Sequence, residues 1–447
     1  MSPVSGSATG VGAPRVVLAS DKFKGSLTAA GVADALETGL RRRWAELAAA
    51  GEVPAGVEPE VSRVPVADGG DGTLDAVLSA GFQRVPVTVT GPLGDPVETA
   101  WARRGDHAVV ELADCSGLLR LPGGPTSATA LAAATTGTGE AVAAALAAGC
   151  REVLLGLGGS SSTDGGAGLL LGLGAGLGTA LGTVLRTGPD APADLLGAGL
   201  GTEELLGASA AVDGVALRAA THVDLVPVRA LLDGRRLVLA TDVDNPLLGP
   251  DGAAATYGPQ KGATPDDVDR LERELIRWAH VLDVAAGVGG SALVPGAGAA
   301  GGTGYGAIAG AGATVASGVE AVLDLVGFDD VVAGADLVVT GEGSLDEQSL
   351  HGKAPVGVLA AATRAGVPTL AVCGRTTLSP DALAAAGFTA VHAVTDLQPD
   401  PARAMGEAAA YVEVLGARVA DALAGRLLAR AAGRLADAAD AVDPATP

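Results

Sequence analysis

Residues 16–27 read VVLASDKFKGSL, and residues 61–73 read VSRVPVADGGDGT. Each begins as a short apolar run rich in β-branched residues and ends on a loop of charged, glycine and hydroxyl residues. After the first loop, Val32, Leu36, Leu40, Trp44 and Leu47 recur at helical spacing, and a shorter helix is expected after the second. Strand, polar loop and helix in repetition are the pattern of a parallel sheet that carries its ligand groups at the strand carboxyl ends.

Outward from these stretches the character of the chain changes near Gly81. Residues 83–90, 97–103 and 107–112 alternate as a meander with turns at 91–95 and 104–106. A helix ending at Gly149, a strand over 152–157 and a glycine-rich loop over 158–166 follow. Residues 175–233 are low-complexity Gly/Ala/Leu with no assignable elements. A strand over 237–241 runs into Asp242, and Thr264-Pro265-Asp266-Asp267 is a helix start, with a capping hydroxyl, proline in the first turn and acids at the positive dipole end. The stretch 287–312 reads as a glycine-rich passage between units. Strand and helix alternate again over 337–340, 353–365 and 368–373, and a long amphipathic helix closes the chain. The expected fold is α/β. A doubly wound, Rossmann-like parallel-sheet domain is discontinuous in sequence (14–80 and 288–447), a mixed α/β domain (81–287) is inserted in it, and 1–13 and 436–447 are disordered.

The chain has 447 residues, with 29 Lys+Arg against 51 Asp+Glu and a net charge of −22. That balance argues against nucleic acid or an acidic membrane surface as partner, since both are held largely by Lys and Arg. Three cysteines far apart form neither a zinc pattern nor a disulfide framework, which suits a reducing compartment. The leader lacks the basic start and apolar core of an export signal. The uncharged run 165–185 is long enough to span a bilayer but diluted by eight glycines, so it reads as a buried helix and a loop.

Five loops combine glycine with carboxylates or hydroxyls, and every lysine of the chain (Lys22, Lys24, Lys261 and Lys353) lies in or beside one of them. Glycine lets backbone N–H groups approach an anion, hydroxyls add donors, and carboxylates hold a divalent cation or take a proton from a hydroxyl nucleophile. An anionic substrate together with nucleotide phosphates accounts for lysines concentrated this way in so acidic a chain. Taken singly, an Asp beside Gly at a strand end is an ordinary turn or cap, so the weight rests on the set. There is no G-x-x-x-x-G-K-[ST] and no protein-kinase signature. The segment 296–301 matches G-x-G-x-x-G but lacks the preceding strand that a dinucleotide site requires.

In order along the chain, DKFKGSL (21–27), VADGGDGT (66–73), DVDNPL (242–247), YGPQKGA (257–263), PGAGAAGG (295–302) and TGEGSLD (340–346) with Gly352-Lys353 resemble the signatures of the glycerate kinase type 1 family. The match runs from about residue 15 to residue 427. Two departures stand out: Ser162-Thr163 where Thr-Asn is expected, and Ser344 where an arginine is common, which removes an anion contact.

The resemblance implies an ATP-dependent kinase of D-glycerate, with two α/β domains and the reactants in the cleft between them. Mg²⁺ would assist in-line transfer of the γ-phosphoryl group, with 2-phosphoglycerate favoured over 3-phosphoglycerate. On this reading Asp68, Asp164, Lys22 and Lys261 are catalytic, and Asp242 and Asn245 meet the metal. Substrate and phosphates contact Asp21, Lys24, Ser26, Gly69, Gly70, Asp71, Gly158, Gly159, Ser160, Ser161, Gln260, Gly341, Glu342, Gly343, Ser344, Asp346 and Lys353. The expected partners are glycerate and a nucleotide, with no nucleic acid and no membrane, in a cytoplasmic monomer or homodimer. The alternatives are a kinase of another small hydroxy acid or sugar acid, a nicotinamide-dependent oxidoreductase using 296–301, and a non-catalytic sugar-acid binder.

Overall fold

The structure, a computed structural model, describes residues 12–179, 184–185 and 213–440. The chain opens with β1 (Arg15–Ser20) and β2 (Glu60–Arg63). It passes into a second unit with β3 (Gln83–Thr90), β4 (Pro96–Arg104), β5 (His107–Glu111), β6 (Glu152–Gly156), β7 (Gly176–Thr179), β8 (Val184–Leu185), β9 (Ala220–Asp224), β10 (Arg236–Ala240) and β11 (Thr314–Ala316). It then returns with β12 (Leu337–Leu345), β13 (Thr369–Thr376) and β14 (Ala390–Ala393). The α/β class expected from the sequence is the one found.

The first unit holds a five-stranded sheet in the order β14-β13-β12-β1-β2, with every neighbouring pair parallel. Its inner strands are apolar on both faces, as a sheet covered on both sides demands. Leu18, Val339 and Val372 pack under the helices Ala29–Ala49 and Ala408–Asp440, where the stripe Val32, Leu36, Leu40, Trp44 and Leu47 is buried. Ala371 and Cys373 face the helices Ala354–Arg364 and Pro380–Ala386 on the other side. The chain runs outward from β1 to β2, then restarts at β12 on β1's other flank and runs outward to β14. The order therefore reverses between β1 and β12, which is where open α/β sheets leave a crevice at their carboxyl ends.

The second unit holds a six-stranded mixed sheet, β11-β10-β6-β5-β4-β3. The meander β3-β4-β5 is antiparallel, and β5, β6, β10 and β11 are parallel. A small antiparallel sheet, β8-β7-β9, accompanies it. Helix Pro265–Ala286 starts at the predicted cap, with Thr264 and Asp267 exchanging hydrogen bonds, and buries Leu271, Leu275, Trp278 and Leu282.

The units divide at 66/67 and 326/327, not at 80/81 and 287/288. Strand β11 pairs with β10 in the second sheet, and Ala321 and Leu325 of helix Gly318–Val326 pack with Leu74 and Val77 of helix Thr73–Ser79. The expected passage 287–312 contains the helix Ala299–Ala311, buried in the second unit's core. Residues 436–440 are the end of helix Ala408–Asp440. The leader 1–11, the tail 441–447 and residues 180–183 and 186–212 of the unassigned stretch lie outside the described residues. Within the run 165–185, the described residues form helix Ala167–Gly172 and strands β7 and β8. Among the described residues no helix is long and apolar enough to cross a membrane, and all three cysteines are free and buried.

Candidate active site

The predicted site residues gather into two groups, one in each unit, each at the carboxyl ends of parallel strands. In the second unit, loop 68–73 nests over the ends of β6 and β10. A Cβ added to Gly158 would lie 2.3 Å from Gly70 Cα, so two bare backbones are what allow loops 68–73 and 158–166 to touch. Asp68 Oδ1 accepts from Gly70 N at 3.1 Å and Thr73 Oγ1 donates to Gly70 O at 2.6 Å, closing the turn. Asp68 is half-buried, and among the described residues no hydrogen bond reaches its Oδ2. Asp242, at the end of β10, caps helix Gly318–Val326: Oδ1 accepts from Gly318 N at 2.9 Å and Oδ2 from Val319 N at 3.3 Å. Burial raises the Asp242 pKa; its hydrogen bonds to Ser317, Gly318 and Val319 work against that, and the nearby charge of Asp68 adds to it.

Glu111, the last residue of β5, is buried and receives Gly72 N at 3.0 Å and Leu74 N at 2.9 Å, so one carboxyl group holds the start of helix Thr73–Ser79. Burial pushes its pKa up to about 8, helped by Asp114 and Asp71 and opposed by the two amide donors. A carboxyl group raised in the folded state stabilises the fold below its ordinary value of 4.5, and that contribution is lost as pH rises through about 8. Glu111→Gln removes this titration. Its stability relative to wild type is therefore expected to improve as pH rises from 4.5 to about 8, read as the difference in urea midpoints at the two ends; a pH-independent difference would refute the assignment.

Ser160, Ser161, Ser162, Thr163 and Asp164 are all buried. Asp164 Oδ2 accepts from Thr135 N at 2.8 Å, Thr135 Oγ1 at 2.7 Å and Gly168 N at 3.2 Å, and Oδ1 accepts from Gly166 N at 3.0 Å. Lys261 is buried in turn, donating to Ser160 Oγ at 2.8 Å and to the carbonyl of Ser162. Burial lowers the Lys261 pKa to about 7, against the pull of Asp164. Arg218 is fully buried and reaches Thr163 O at 3.2 Å and Leu131 O at 2.9 Å while paired with Glu274 at 2.7 Å. Trp278 Nε1 donates to Gly165 O at 2.9 Å, and Ser161 Oγ to Ser116 O at 2.8 Å. Asp164 and Lys261 thus brace this loop from within, and Gly159 O is tied down by Leu118 N at 3.0 Å.

Asn245 uses both ends of its amide, Nδ2 on Asp251 O at 2.8 Å and Oδ1 under Tyr257 OH at 2.6 Å. With Asp242 spent on its helix cap, the two residues expected at the metal do not fit that task. Among the described residues no cluster of three or more His, Cys, Asp or Glu is placed to hold a metal ion. Gln260 is exposed on the turn Pro259–Lys261. The G-x-G-x-x-G segment 296–301 follows the short 3-10 turn Ser291–Leu293 and not a strand, so the geometry of a dinucleotide fingerprint is missing.

In the first unit the groups flank the β1/β12 reversal. Asp21 N donates to Gly341 O at 2.9 Å, and Asp21 Oδ1 accepts from Lys22 N at 2.6 Å. Ser26 Oγ donates to Phe23 O at 3.0 Å, and buried Phe23 pairs with Leu27 to fold 23–27 into a tight turn. A Cβ on Gly343 would lie 3.1 Å from Lys24 N, so this turn rests directly on β12. Lys24 is exposed and Glu342 buried. Ser344 Oγ accepts from Arg375 Nε of β13 at 3.1 Å. Asp346 caps the 3-10 turn Glu347–His351 and lies 4.0 Å from Lys353 Nζ, at the start of helix Ala354–Arg364.

Four residues with a part in these loops escape the sequence reading: Glu111, Arg218, Trp278 and Arg375. Glu111 is one more letter of an apolar strand and Trp278 one of a core stripe. Arg218 and Arg375 stand in no glycine-acid motif, and only their contacts expose them.

The family profile described as "Glycerate kinase family" matches residues 16–424. The chain is 35% identical over 404 residues to a protein of Bacillus subtilis (strain 168) named "Glycerate kinase", covering 89% of this chain and 95% of that one. It is 34% identical over 384 residues to one of Escherichia coli (strain K12) named "Glycerate 2-kinase", covering 85% and 90%. A solved structure from Salmonella typhimurium LT2, described as "putative glycerate kinase 2", superposes with a TM-score of 0.69 at 34% identity, over 92% of this chain and 98% of that one.

Proposed function

The chain belongs to the glycerate kinase family, and from that premise we propose that it phosphorylates D-glycerate with ATP, favouring 2-phosphoglycerate, as a member of the type 1 branch working in the cytoplasm. The observation that carries this reading is the order of the loops: six motifs along one chain, in a family match spanning 16–424. Family membership makes the chain a kinase.

The transfer needs positioning and charge neutralisation more than covalent chemistry. The glycerate hydroxyl oxygen forms a bond to the γ-phosphorus, the bond from that phosphorus to the β,γ-bridging oxygen breaks, and ADP leaves. The hydroxyl proton passes to Asp68, one of two acids in loop 68–73, whose Oδ2 accepts no hydrogen bond among the described residues. Within the first unit, Lys22, Lys24 and Lys353, with the backbone of Gly341 and Gly343, offer charge and donors to an anion; within the second, the backbone of Gly69, Gly70, Gly158 and Gly159 offers donors. Asp164 and Lys261 act through the loop they brace. No step is assigned to Mg²⁺, since Asp242 and Asn245 are committed elsewhere.

The test is a coupled ADP-release assay with D-glycerate and a panel of small hydroxy acids and sugar acids, with ³¹P NMR of the product. ADP release with glycerate above all others and a 2-phospho signal is the expected outcome. Turnover with another acid in its place would overturn the substrate, and a 3-phospho product the regiochemistry.

A further inference from the structure

Several arginines of this acidic chain pair with a carboxylate, Arg41 with Glu37, Arg43 with Asp421, and Arg218 and Arg270 with Glu274. Arg375 has no such described pair. Its one described partner is a neutral hydroxyl, Ser344 Oγ, bound through Nε at 3.1 Å. The two residues are register partners on the parallel strands β12 and β13, so the sheet itself aligns them. Arg375 is exposed at the carboxyl end of β13. Strand β12, to which it is tied, is one of the two that flank the reversal of strand order, and Gly343, next to Ser344, carries the Lys24 turn.

A guanidinium has five N–H donors in one plane. Anchoring Nε fixes that plane and leaves the two terminal nitrogens side by side, the fork that takes two oxygens of one carboxylate or phosphate. A lysine on the same strand would offer a point charge without that geometry.

We propose that Arg375, oriented by Ser344, binds an oxyanion of one of the two reactants: the carboxylate of the hydroxy acid or a phosphate of the nucleotide. The inference rests on the kinase reading and adds to it a contact residue outside every glycine-acid motif. Arg375 supplies a guanidinium at the place where Ser344 itself brings none.

The experiment compares wild type, Arg375→Gln, Arg375→Lys and Ser344→Ala. KM for glycerate and for ATP are measured in the coupled assay, and Kd for D-glycerate and for ADP by calorimetry. Losing a charge-assisted two-pronged contact corresponds to roughly 10–150-fold in affinity. Arg375→Gln is expected to weaken one reactant by that factor and leave the other unchanged, which identifies the source of the oxyanion. Arg375→Lys, keeping charge without the fork, and Ser344→Ala, keeping the fork without its anchor, are each expected to fall between. Unchanged constants for both reactants in Arg375→Gln overturn the proposal. So does full recovery in Arg375→Lys, which would reduce the effect to bulk charge. If wild type binds ADP and glycerate but turns over neither, the kinase reading fails while the binding arm still decides the role of Arg375.

Discussion

Asp68→Asn is expected to lower kcat by about 10²–10⁴-fold, the range for losing a positioned proton acceptor, with an unfolding midpoint close to that of wild type. Asparagine keeps a carbonyl oxygen where Asp68 Oδ1 accepts from Gly70 N, so the turn that presents the side chain survives the change. What disappears is the ability to take a proton. KM values near wild type alongside the fall in kcat would mark a loss confined to the transition state. The neighbouring Asp242 does not substitute, because both its oxygens already hold the amides of Gly318 and Val319. A kcat within threefold of wild type would remove Asp68 from the chemistry altogether.

The second large effect is of the opposite kind. Asp164→Ala is expected to destabilise the second unit by about 3–5 kcal/mol, as removing one partner from a buried, charged network does. The side chain is fully buried and collects four donors, from Thr135, Gly166 and Gly168. Alanine leaves all four unsatisfied and removes the negative charge that supports the Lys261 ammonium. Urea unfolding should show a lower midpoint, and activity should fall with it as loop 158–166 loses its brace. A normal midpoint with kcat abolished would return Asp164 to a direct catalytic role.

The two aspartates looked alike in the sequence, each beside glycine at a strand end. Only burial separates them, and burial is a property of what packs around a loop. The loops themselves were legible because glycine, acids and hydroxyls interrupt apolar runs sharply, and the long helices because their stripes recur at 3.6 residues. Helix Ala299–Ala311 was hidden for the reverse reason. Its glycines argue against a helix by propensity, yet they are what its packing needs: a Cβ on Gly306 would lie 2.7 Å from Gly166 Cα, beside helix Ala167–Gly172. Tertiary contact outweighed local preference there, and the boundary drawn through 287–312 moved with it. Glu111 and Arg218 are not legible because a buried ionisable group is recognised by its partners, and those are 37 to 87 residues away in the chain.

The central position of β1, between β2 and β12, has a consequence for biosynthesis. The second unit is one continuous stretch, 67–326, and is complete before the first has half its strands. On a ribosome adding about 5–20 residues per second, β1 waits roughly 15–65 s for β12 to emerge, with one flank an unprotected edge. The nascent amino-terminal segment is therefore the part of this polypeptide most in need of a chaperone, and an artificial stop codon just after residue 326 should yield a folded carboxyl portion trailing an orphaned start.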